Sequence, residues 1–64
     1  MTAEYIRAGK THQVEIASPP PPQIVLTARA SPKSPVFELT LEYVVMSVRP
    51  DVALYRIAKE RALP

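Results

Sequence analysis

Gly9, Lys10 and Thr11 reproduce the closing residues of a phosphate-binding loop, in which backbone amides and a lysine hold phosphate oxygens. The full loop needs a glycine five residues earlier, and that position is Glu4, whose charge repels a phosphate. His12 follows directly, but Thr11 and Gln13 give it neither a nucleophile nor an orienting carboxylate, so it reads as a surface residue at a strand start. Glu38 and Glu42 share one face of an extended segment, about 13 Å apart along a strand. Glycosidase carboxylates stand only about 5–9.5 Å apart, so this pair reads as a solvated face or a cross-strand pair opposite Arg29.

The chain has six acidic residues, one histidine and no cysteine, and no nucleophile, base and orienter come together in it. A non-enzymatic protein without cofactor, metal or small-molecule substrate is expected. A disulfide framework is excluded, and the missing cysteine fits a reducing, cytoplasmic compartment. No apolar run reaches membrane-span length, and "MTAEYIRAGK" carries an early acid and no apolar core, unlike a secretory signal. The net charge of +2 permits nucleic-acid binding without requiring it.

Proline-rich stretches offer a second kind of chemistry. Pro19–Pro22 and Pro32-Lys33-Ser34-Pro35 each contain a PxxP, the spacing that SH3-type grooves bind. A linker and a loop are the plainer readings. Ser18, Ser31 and Ser34 each precede a proline.

Around these residues the patterning predicts an α+β fold. Residues 1–18 form an N-terminal arm in which Gly9 marks a turn and Val14 and Ile16 alternate as in a short strand. The prolines of residues 19–23 make a stiff polyproline spacer, because each fixes φ and lacks an amide donor. Residues 24–64 then make an antiparallel hairpin and one C-terminal helix, and the arm is available as a third strand. In the first hairpin strand Ile24, Leu26, Ala28 and Ala30 share a face. In the second, Phe37, Leu39, Leu41, Tyr43 and Val45 share one. The helix is expected after Pro50 and Asp51, in "VALYRIAKERALP", with Leu54, Tyr55, Ala58 and Ala62 as its apolar stripe.

The other face of the second strand passes from Glu38, Thr40 and Glu42 to Val44, Met46 and Val48. Such a patch needs cover, either from the helix through Tyr55 or from a partner. A chain of 64 residues is marginal as a lone domain, which favours a partner. The expected function is therefore a small accessory or regulatory protein that binds a larger protein or itself, with Val44, Met46, Val48 and Tyr55 at the interface.

The alternative is a DNA-binding regulator of transcription or recombination. "LTLEYVVMSVRPDVALYRIAKERALP" resembles the excisionase-type helix-turn-helix in its second half, on Leu54, Tyr55, Arg56, Ile57, Lys59, Glu60, Leu63 and Pro64. The first half departs: Val48 stands where that family's turn carries glycine, and the would-be first helix alternates like a strand. The resemblance implies a recognition helix that presents Arg56 and Lys59 to DNA, with Arg49 in the preceding turn adding a further cation.

Overall fold

Ala8 and Gly9 both take positive φ, 53° and 74°, the backbone that a two-residue type I′ hairpin requires. They join β1 (Thr2–Arg7) to β2 (Lys10–Glu15). The computed structural model describes residues 1–29 and 31–64. Among these it has three further strands: β3 (Gln23–Ala28), β4 (Phe37–Met46) and β5 (Val52–Ala62). The five form one curled sheet in the order β2-β1-β5-β4-β3. All neighbours are antiparallel except β1 and β5, which run parallel from Thr2↔Val52 to Glu4↔Leu54.

The fold is thus all-β, and the expected α+β architecture is corrected at two places. Residues 52–62 form β5 in the middle of the sheet, with no helix among the described residues. The segment expected as an arm contributes two strands. The expected β3–β4 hairpin is present, with Ile24, Leu26 and Ala28 opposite Leu41, Leu39 and Phe37. Ala30, expected on the same face, lies outside the described residues.

A strand at residues 52–62 answers a requirement that a helix does not meet. The edge of β4 facing away from β3 carries a row of backbone donors and acceptors. Pairing with β5 satisfies both strands at once. Ala53, Tyr55 and Ile57 also alternate, so one face of β5 can enter the core.

The core lies on the concave face and consists of Ala3, Tyr5, Leu39, Leu41, Ala53 and Tyr55. Val14, Ile16, Ile24, Leu26, Phe37, Met46 and Ile57 pack around it. Two bulges sharpen the curl. The register shifts leave Ala58 as the extra residue of β5 and Val44 as the extra residue of β4. Beyond Val44 the two faces exchange, so Met46 stands opposite Ala53 on the core side while Val45 pairs with Leu54.

The proline segment is tied to this sheet. Tyr43 N–H donates to the Pro22 carbonyl at 3.0 Å, and the Tyr55 hydroxyl donates to the Pro21 carbonyl. Both rings lie at one end of the concave face and meet edge to face, 5.7 Å apart.

Candidate functional site

Two surfaces of the sheet carry unsatisfied chemistry. The first is the outer, convex face. Glu4 pairs in register with Leu54, and Leu54 with Val45, so the side chains of three adjacent strands stand side by side. Ile6, two residues beyond Glu4, joins Leu54 along a groove that also includes Arg56. Ile6, Val44 and Val45 are 66%, 53% and 51% exposed. The four residues make an apolar row across β1, β5 and β4 that is diagonal at β1, since Glu4 stands in register beside Leu54 and Ile6 two residues further on.

The interface residues expected from sequence fall into different settings. Val44 belongs to this row. Val48 sits in the turn after β4 and is fully exposed. Met46 is packed against the core, and Tyr55 lies within it. Burial pushes the Tyr55 phenol above its ordinary pKa, and neighbouring Tyr43 adds to the shift.

The cations expected to contact DNA also divide. Arg49 pairs with Glu4 at 2.7 Å and Arg56 with Glu42 at 2.8 Å, while Lys59 has no ion-pair partner among the described residues. Glu42 and Glu38 are cross-strand paired, but to Arg56 and Arg61 of β5 rather than to Arg29. The hydrogen bonds of Arg49 and Gln13 to Glu4 hold its carboxyl below the usual range. The helix that was to carry DNA recognition is absent, since Leu54–Arg61 is strand. A strand of alternating side chains turns Arg56 to the outer face beside Glu42.

The second surface is a cleft of about 430 Å³ at the opposite end of the concave face from the prolines, lined from β1, β2 and β3. Tyr5, Arg7, Lys10, His12, Thr27 and Arg29 stand around it, and no acid does. Arg7 is engaged: its Nε donates to Glu60 at 2.6 Å, and its guanidinium lies 5.2 Å from the Phe37 ring centre. His12, exposed as its sequence context suggests, stacks on Tyr5 with centroids 5.3 Å apart. Among the described residues Lys10, His12 and Arg29 have no ion-pair partner.

Sequence reasoning missed Ile6 and the Arg7–Lys10–Arg29 cleft. One signal was available for part of it. A two-residue turn at Ala8-Gly9 puts Arg7 opposite Lys10, both on the face that carries Ala3 and Tyr5. Among the described residues no group of His, Asp and Glu has the geometry of a metal site, and no helix is long and apolar enough to cross a membrane. No protein family, curated protein or solved structure matches the chain.

Proposed function

We propose that the chain is a small non-enzymatic interaction protein that docks the outer face of its sheet on a second copy of itself. The observation that carries this reading is the apolar row of Ile6, Leu54, Val45 and Val44. Fully burying a large aliphatic side chain is worth roughly 1.5–3 kcal/mol, and Ile6, Val44 and Val45, half to two-thirds exposed in the single chain, each offer roughly that fraction of it on docking. The charges bordering the row favour an identical surface as the occupant. Glu4–Arg49 and Glu42–Arg56 are neutralised within the chain, so two such faces meet without net repulsion. Of the cations without a partner among the described residues, Lys10 and Arg29 lie in the cleft on the other face, while Lys59, opposite Thr40, stands on the outer face five residues along β5 from Leu54. A specific interface needs about 800 Å² from each partner, under a fifth of the 4552 Å² this chain exposes. A cytosolic setting belongs to the same proposal, supported by a sequence without cysteine.

Sedimentation velocity on the full chain, from about 10 µM to 1 mM, tests the reading over the range of micromolar to millimolar association. A dimer that forms with rising concentration is expected. Val45→Lys, at a half-exposed position, should keep the β-sheet circular dichroism spectrum and remain monomeric. A wild-type chain that stays monomeric throughout overturns the proposal. So does a dimer that Val45→Lys leaves intact.

A further inference from the structure

The curled sheet does not close on itself. Its outermost strands, β2 and β3, face each other across the basic cleft, and no Cα of one comes within 8 Å of a Cα of the other. Paired strands stand about 4.8 Å apart, so a separation beyond 8 Å excludes direct pairing, and the cleft that β2 and β3 line holds about 430 Å³. The backbone parity of both edges follows from two hydrogen bonds. Ile16 N–H donates to Met1 C=O, and Tyr43 N–H donates to Pro22 C=O. In antiparallel ladders the bonded pairs alternate. The main-chain groups of Lys10, His12 and Val14 therefore turn to β1, and those of Ile24, Leu26 and Ala28 to β4. The N–H and C=O groups of Thr11, Gln13, Val25 and Thr27 point into the gap. The β3 edge, Gln23–Ala28, has no charged side chain and no proline, the devices that usually protect an edge.

At one end the proline segment that links β2 to β3 is held to the core, where the Pro21 carbonyl accepts the Tyr55 hydroxyl. At the other end the gap is open and lined by Lys10, His12 and Arg29 without an acid. We propose that this cleft takes an extended acidic polypeptide segment as a sixth strand between β2 and β3. The edge amides and carbonyls bond its main chain, and Lys10 and Arg29 pair with its carboxylates. Single-stranded nucleic acid fits less well. The Tyr5 ring is buried and already stacked on His12, so it offers no free platform to a base.

The probe is a fluorescein-labelled peptide of alternating valine and glutamate, titrated into the full chain and followed by anisotropy. A valine–lysine peptide, oligo(dT) and inorganic phosphate serve as competitors. The valine–glutamate peptide should bind and slow hydrogen exchange at the amides of Thr11, Val25 and Thr27. Arg29→Glu should weaken it at least tenfold. Thr27→Pro removes a donor that faces the gap without breaking a bond to β4, and should abolish binding with the sheet intact. If that variant does not fold, the exchange pattern of the wild type decides. Absence of binding, equal binding of the lysine peptide, displacement by oligo(dT) or phosphate, or unchanged exchange at the two edges would each overturn the proposal. Val45→Lys acts on the opposite face and should leave this binding unchanged, so failure of the self-association reading is separately visible.

Discussion

Tyr55 joins three parts of the molecule: its ring is core, its edge meets Tyr43, and its hydroxyl holds the proline segment. Tyr55→Phe keeps the ring and removes the hydrogen bond, which should cost about 0.5–1.5 kcal/mol in denaturant unfolding. The same substitution alters the alkaline limb. The folded phenol has a raised pKa, so the unfolded chain releases this proton first, near the ordinary value of 10.0. Stability contributed by the neutral phenol is complete below that pH and is lost as pH rises through the folded value. The wild type should therefore lose more stability above pH 10 than the phenylalanine variant, as read from paired melts. Glu4 shows the opposite sign. Its depressed carboxyl contributes stability above the ordinary carboxylate range, and this is lost as pH falls through the folded pKa. Glu4→Gln should flatten the acid limb of the melting curve, and an unchanged limb would show that Arg49 and Gln13 do not hold Glu4 in solution.

Among the elements, β4 was legible because its signal had one interpretation. Phe37, Leu39, Leu41 and Tyr43 alternate with Glu38, Thr40 and Glu42, and no helical wheel gathers them on one side. In β5 two patterns coexist. Ala53, Tyr55 and Ile57 alternate, while Leu54, Tyr55, Ala58 and Ala62 also fall on one helical stripe. Its second half, Ala58 to Ala62, is rich in helix formers. The partnerless edge of β4, which only the folded sheet reveals, decides for the strand, and Ala58 becomes its bulge. In the first hairpin the turn at Gly9 and the alternation of Val14 and Ile16 were legible, while β1 was not. Ala8 beside Gly9 adopts the left-handed region at φ 53°, where a Cβ crowds the backbone. Asn tolerates that region better, so Ala8→Asn should stabilise the chain by about 1 kcal/mol, seen as a rise in melting temperature of roughly 4–8 °C. No gain would mean that the turn is not type I′ in solution.

At the scale of the whole molecule, the surfaces were less legible than the strands because they are assembled across strands distant in sequence. Val44 was visible as an apolar residue in need of cover, but its neighbours Leu54 and Ile6 come from β5 and β1. The bulge that turns Met46 inward has no sequence signature of its own. The same geometry limits stability. Among the described residues only Leu39 and Leu41 are large side chains buried completely. At roughly 0.05–0.15 kcal/mol per residue, a domain of this length holds about 3–10 kcal/mol. Leu39→Ala should cost about 2–5 kcal/mol, enough to leave a substantial unfolded fraction detectable by circular dichroism. With so narrow a margin, association on the outer face also becomes measurable as stability. A dimer that forms only from folded chains draws the folding equilibrium with it, so the melting temperature of the wild type should climb as protein concentration rises. Val45→Lys, which removes the apolar contact without touching the core, should melt at one temperature at every concentration. A concentration-independent wild type would show that the folded chain is stable without a second copy, and the row of Ile6, Leu54, Val45 and Val44 would not be a self-association surface.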